Sequence, residues 1–182
     1  AQVVRCFDND DVVHVAGKID PLADIQVIES ELILADMASL EKAQQRLVRV
    51  AKGGDKDAKL KLDIIARLAP HLEDGNLART LPMSDEERKA LRELFLLTMK
   101  PMMYVANVDE AHIDGDNAYV QQVRDKAAQS GAVVVTVCAA IEAELSQLDP
   151  AEQGELLASY GLAEPGLNRV IRAGYQLLGL GT

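Results

Sequence analysis

The chain has 182 residues and a formal net charge of -10, a balance that argues against indiscriminate attraction to nucleic acid. At ~100 to 200 residues per domain, this length fills one domain, or one domain with an appendage. With no tryptophan, two phenylalanines and four tyrosines, any core must be aliphatic.

Cys6 and Cys138 lie far apart with no C-x-x-C, which argues against a disulfide scaffold or zinc site and favours a reducing compartment. His14, His71 and His112 stand singly without ligand spacing, so capping or surface roles outweigh metal binding. No apolar run approaches the ~18 to 20 residues of a bilayer span and no signal-like start is present, so no membrane partner and a cytoplasmic location are expected.

Residues 1–21 read as a strand and loop. After Asp20-Pro21, a cap followed by a first-turn proline, a periodic segment runs from Leu22 to about Lys52. Ile25, Ile28, Leu32 and Ala35 fall at steps of three and four. Met37, Leu40, Gln44, Leu47 and Ala51 continue on a shifted seam, as if two surfaces were packed. Gly53-Gly54-Asp55 breaks the helix, and Ala58, Leu62, Ile65, Ala69 and Leu72 supply a second arm. The pattern predicts an antiparallel coiled-coil hairpin over residues 22–82. Roughly 30 residues at ~1.5 Å make its first arm ~45 Å long, so the hairpin is expected to project.

Between Lys42 and Lys61 the hairpin carries seven cations against Asp55 and Asp57. These charges would keep a coiled coil soluble. Concentrated at the tip of an otherwise acidic chain, Arg46, Arg49, Lys52, Lys56 and Lys59 also fit an RNA or ribosome contact through phosphates. The tip has no aromatics, which argues for backbone contact rather than base stacking.

Ser84-Asp-Glu-Glu87 reads as a capping box opening a helix through Leu94. Two Val- and Tyr-rich apolar runs follow, one ending at Asn107 and one at Val137, with residues 116–130 between them long enough for a crossover helix. This is a βαβ unit with polar groups at two neighbouring strand tips, where open α/β sheets bind ligands. Glu142 and Glu144 read as helix-start acids favoured by the macrodipole rather than as catalysts. Pro150 and Pro165 start two more helices, the last with Leu167, Val170, Ile171, Gly174 and Leu178 as an expected buried stripe and Gly174 as a close-packing point. Arg169 and Arg172 are expected in solvent.

The two tips read Asn107-Val108-Asp109-Glu110 and Cys138-Ala139-Ala140. They resemble the base-reading motifs of GTPase-type P-loop NTPases, Asn-Lys-x-Asp and Ser-Ala-x, with the Lys absent and Glu110 in place of Asp. A longer carboxylate cannot sit where the shorter one did, and the amide of Asn107 can both give and take hydrogen bonds at an adenine edge. The Asn-x-x-Glu variant is similar to that of the YchF group of Obg-like ATPases. Val3-Val-Arg-Cys-Phe7, Val13-His-Val-Ala-Gly-Lys-Ile-Asp-Pro21, the helix around Ile28, Ala51-Lys-Gly-Gly-Asp-Lys56 and the stretch from Glu164 to Tyr175 resemble YchF segments in the same order.

The resemblance implies a partial P-loop NTPase sheet interrupted by the hairpin, with residues 83–182 as the second half of the G domain. It implies a parent that hydrolyses ATP, and GTP less well, with Mg²⁺ and associates with ribosomes. The expected base-binding residues are Asn107, Val108, Glu110, Cys138, Ala139 and Ala140, with Asp109 a further candidate for base or ribose.

The sequence contains no Gly-x-x-x-x-Gly-Lys-[Ser/Thr] run to cradle phosphate, and Gly17-Lys18-Ile19 is a poor imitation. The expected reading is therefore an interior fragment, inactive alone. Its parent would supply the other half of the G domain and a ubiquitin-like TGS domain. Two alternatives stay open: a non-enzymatic hairpin adaptor in which Asn107 to Glu110 is only an Asx turn, and a true GTPase with a variant base motif.

Overall fold

The computed structural model describes residues 1–8 and 19–181, so His14 and the Gly17-Lys18 pair lie outside the described residues. In chain order the elements are β1 (Gln2–Arg5), α1 (Pro21–Ala51), α2 (Lys56–Glu73), α3 (Asp85–Leu91), β2 (Met103–Asn107), α4 (Ala118–Ser130), β3 (Val133–Val137), α5 (Ala139–Leu145), α6 (Pro150–Ser159) and α7 (Gly166–Leu177). They form two compact units, Ala1–Ile25 with Met102–Thr182, and Gln26–Pro101.

The first unit is α/β, as the sequence predicts. Its strands lie in the order β1-β2-β3, all parallel, with Arg5 opposite Asn107 and Asn107 opposite Val137. Alternation sorts the side chains. Val4, Tyr104, Ala106 and Val108 join Val120, Val123, Ile141 and Leu157 from α4, α5 and α6 in one core. Met103, Val105, Val133, Val135 and Val137 face the other way, against Val170, Ala173 and Leu177 of α7.

The expected α7 stripe is therefore out of phase: Leu167, Ile171 and Leu178 are exposed, and only Val170 of the named aliphatic residues joins the cluster. Apolar residues occupy two adjacent rows of this helix, and the sheet surface, not the periodicity, selects the row that is buried. Nor is Gly174 a close-packing point, since a Cβ there would meet nothing within 4 Å. The tight glycine is Gly166, where a Cβ would lie 2.9 Å from Glu142 Oε1 and 3.2 Å from Val137 Cγ1.

In the second unit α1 and α2 are joined by residues 52–55. Gly54 takes a φ of +89°, and Asp55 caps α2 by accepting the Ala58 amide at 2.8 Å. Ile33, Leu40, Ala43 and Leu47 of α1 share one core with Ala58, Ile64, Ile65, Leu68 and Leu72 of α2. The capping box of Ser84 and Glu87 opens α3.

Along α1 the buried positions are Pro21, Ile25, Glu29, Ile33, Asp36, Leu40, Ala43 and Leu47, one continuous row at steps of four and three. Ile28 and Ala35, expected on the seam, are exposed. Two acidic residues on the row make the apolar positions alone look like two displaced seams. The boundary expected between residues 82 and 83 also moves, because Leu91 and Leu96 are buried with the α1–α2 core, so residues 83–101 belong with the helices.

Asp36, 1% exposed, explains its own burial. Its carboxylate accepts the Leu97 amide at 2.6 Å, the Thr98 amide at 2.7 Å and the Thr98 hydroxyl at 2.6 Å, and Thr98 Oγ1 in turn accepts the Ala78 amide at 3.0 Å. One side chain thus closes the first turn of the 3-10 segment Leu97–Met99 onto α1. A buried carboxylate is tolerated when its lone pairs are filled in this way. Among the described residues, no helix is long and apolar enough to cross a membrane.

Asp36→Ala should lower unfolding stability by about 3 kcal/mol in a urea titration, because two amides and a hydroxyl lose their acceptor, and Asp36→Asn by roughly half as much. A loss below about 1 kcal/mol for the alanine variant would mean that the network is replaceable by water.

Candidate functional site

Parallel strands end at one edge of their sheet, so the C-terminal tips of β1, β2 and β3 are neighbours. The chain continues to lace them together past the strands: Cys6 N donates to Asn107 O at 2.7 Å, and Val108 N to Val137 O at 2.9 Å. Asn117 fastens the same edge, donating Nδ2 to Cys6 O at 2.8 Å while its Oδ1 caps α4 at the Val120 amide, also 2.8 Å.

Asn107, half-buried at the end of β2, reaches across to the adjacent tip, where its Oδ1 accepts the Ala139 amide at 3.0 Å. With the carbonyl oxygen fixed on that side, Nδ2 remains as a pair of N–H donors. The amide of Ala139, one of the expected base-binding residues, is thus engaged by Asn107. Ala139 and Ala140 are exposed at the start of α5.

Glu110 is exposed and its Oε2 accepts the Tyr160 hydroxyl from the end of α6 at 3.0 Å. That hydrogen bond, followed by partial desolvation and the nearby charges of Glu110 and Glu144, holds the phenol above its ordinary value of 10.0. Asp109 turns inward on its own loop, accepting the His112 amide at 3.0 Å and meeting His112 Nδ1 at 2.6 Å. It caps the 3-10 turn Glu110–His112 and so works as a turn former.

Val108 and Cys138, each 2% exposed, place their side chains in the sheet core. They can meet a ligand only through backbone atoms. Of the six expected residues, the side-chain surface at the tips thus comes from Asn107, Glu110, Ala139 and Ala140.

Three contributing residues were not singled out for this role. Asn117 precedes a helical run and carries a recognisable cap signature. Tyr160 lies 50 positions from Glu110, and no local pattern announces it. Glu142 was read as a macrodipole acid of α5. Its carboxylate instead accepts the Gly166 amide at 2.6 Å and the Leu167 amide at 3.1 Å, capping α7 from another element. Among the described residues, no group of three or more His, Cys, Asp or Glu is placed to hold a metal ion.

In the helical unit, Arg46, Arg49, Lys52, Lys56 and Lys59 are all exposed around the α1–α2 turn. Lys61, counted with them in the sequence, is buried and held by Asp57 at 2.5 Å and Glu93 at 2.7 Å, which raise its affinity for the proton. Its charge is spent inside the fold. Arg46 borders a cleft of about 370 Å³ with Asp55, Asp57 and Glu93, so part of the tip is acidic.

No family model matches the chain. It is 54% identical over 180 residues to the ribosome-binding ATPase YchF of Haemophilus influenzae, covering 99% of this chain and 49% of that protein. The YchF proteins of Escherichia coli O157:H7 and Bacillus subtilis are 52% and 42% identical over 180 and 182 residues. The chain thus spans about half the length of the curated relatives it matches. Among solved structures it resembles the YchF GTPase of Schizosaccharomyces pombe, with a TM-score of 0.82 at 27% identity, covering 97% of this chain and 49% of that one. The expected partial P-loop NTPase sheet is the fold of that match.

Because the phenol of Tyr160 is raised above 10.0 in the folded chain, its hydrogen bond contributes fully below that pH and is lost as pH climbs through the higher folded value. Ultraviolet titration should show Glu110→Gln shifting one tyrosine ionisation to lower pH, and Tyr160→Phe deleting it. Superimposable wild-type and Glu110→Gln curves would remove this contact from the site.

Proposed function

Since the chain belongs to the YchF family across 99% of its length, we propose that it carries the purine-reading edge and the helical hairpin of a nucleotide hydrolase. That protein would bind ATP, and GTP less well, with Mg²⁺, and would associate with the ribosome in the cytoplasm. The observation that carries the reading is the bridge from Asn107 Oδ1 to the Ala139 amide across two adjacent parallel strand tips. It orients the N–H donors of Asn107 for an acceptor on a purine ring: N7 on either base, N1 on adenine alone.

Glu110 supplies acceptor capacity beside it, with Oε2 shared with Tyr160. The greater length of Glu than Asp, and its tether to a phenol, support a preference for adenine over guanine. The backbone of Val108, Cys138, Ala139 and Ala140 would form the floor of the slot.

The chain's residues fit a base, not a triphosphate. The sequence holds no phosphate-cradling glycine loop, so the groups that grip phosphate and Mg²⁺ would come from the rest of a protein as long as its relatives. When bound, Mg²⁺ would neutralise charge on the phosphates during in-line attack by water. The 182-residue polypeptide alone should release no phosphate from ATP above the buffer rate.

For the ribosome, the exposed cations Arg46, Arg49, Lys52, Lys56 and Lys59 are the proposed contact, and the hairpin, read as a coiled coil, is the proposed inserted domain. Reversing Lys52 and Lys56 to Glu in a protein of the relatives' full length should weaken cosedimentation with ribosomes and flatten its salt dependence. Unchanged cosedimentation would move the contact elsewhere.

Base reading is tested by titrating fluorescent ATP and GTP against the same full-length protein. Asn107→Ala should weaken ATP binding by about tenfold, the worth of one or two hydrogen bonds, and Glu110→Asp should narrow the preference for ATP over GTP. Val108 is left alone because a lysine there would enter the core. Equal affinities for ATP before and after Asn107→Ala would refute the site. Tighter GTP than ATP binding by the unaltered protein would favour the GTPase reading, and no nucleotide binding would favour the adaptor.

A further inference from the structure

The helical unit contains a second cleft, of about 370 Å³, lined by Arg88, Leu91, Arg92, Phe95, Leu96, Met99, Lys100 and Pro101. Its floor is aliphatic, and its rim carries three cations and a phenyl ring. Phe95 is 77% exposed in a chain with only two phenylalanines, and its backbone sits in the left-handed region at φ +50°, ψ +34°. It is the one non-glycine residue with positive φ among the described residues. Holding an aromatic side chain in water on a disfavoured backbone opposes folding twice, and such outliers concentrate where a surface is used.

The rim cations are also left over. Glu87, next to Arg88, is committed to Arg67 and to the Ser84 amide. Glu93, next to Arg92, is committed to Lys61. Among the described residues, no carboxylate pairs with Arg88, Arg92 or Lys100. In a protein of net charge -10, three unpaired cations around an apolar floor form a local field of the minority sign.

We propose that this cleft docks an acidic amphipathic peptide segment of a partner protein, one apolar side chain packed between Met99 and the ring of Phe95 over the buried Leu91 and Leu96, and flanking carboxylates on Arg88, Arg92 and Lys100. Charge complementarity selects the acidic flanks, and the aliphatic floor selects a peptide over an unpaired RNA base, which would need a stacking platform broader than one ring. Met99, unbranched and polarisable, lets the floor adapt to the inserted side chain.

The test uses the 182-residue chain and a fluorescein-labelled peptide of about twelve residues with Leu and Phe at its centre and Glu and Asp on both sides. The controls are the same peptide with Lys for each acid, and a single-stranded RNA of equal length. Anisotropy should show the acidic peptide binding, weakening with salt, and the basic isomer failing to bind.

Arg92→Glu and Lys100→Glu should each weaken binding about tenfold. Phe95→Gly should weaken it similarly while leaving the thermal midpoint unchanged or higher, since glycine relieves the positive φ. If Arg92→Glu unfolds the chain, Lys100→Glu and Phe95→Gly still decide the matter. The proposal is overturned if the acidic peptide does not bind, if these variants bind it as well as the parent does, or if RNA binds and competes with the peptide.

Discussion

A parallel strand cannot be joined to its neighbour by a tight turn; each connection must cross back over the sheet before the next strand begins. That constraint shapes the α/β unit. It sends the chain through α4 between β2 and β3, and leaves room between β1 and β2 for the whole second unit, Gln26–Pro101. It also delivers Cys6, Asn107 and Cys138 to one edge. Every contact at the candidate site, from the Asn107 amide to the Tyr160 phenol, follows from strand ends being gathered there.

What could be read from the sequence were the features fixed by short-range chemistry. The βαβ segment shows as two valine-rich runs with a helix-length gap, the hairpin turn as Gly53-Gly54-Asp55, and the cap of α3 as Ser84 followed by Glu87. What escaped depends on partners distant in sequence. Asp36 breaks an apolar pattern unless Thr98, 62 residues on, is known to fill its lone pairs. The phase of α7 is set by the sheet it meets. Asn107 and Glu110 were visible as a motif, but Tyr160 and the buried posture of Val108 and Cys138 were not, because burial belongs to the assembled edge rather than to the motif.

The carboxylates follow a common logic. Asp36, Asp55, Asp109, Asp149 and Glu142 each accept one or more backbone amides at the start of a helix or turn. An ionised oxygen answers the orphan amides of a helix start better than a neutral one and favours the local dipole. Part of the chain's negative charge is therefore employed in closing helix and turn starts, Asp36 and Glu142 doing so from other elements, and is not simply a solvating coat.

Among the described residues, one flank of β1 carries the hydrogen bonds to β2 and the other pairs with no strand, with Val3 69% exposed. Such a flank is a template for any extended backbone that approaches it, including that of a second copy. The strongly acidic character of the polypeptide acts against that encounter, since like-charged copies repel before their backbones can meet.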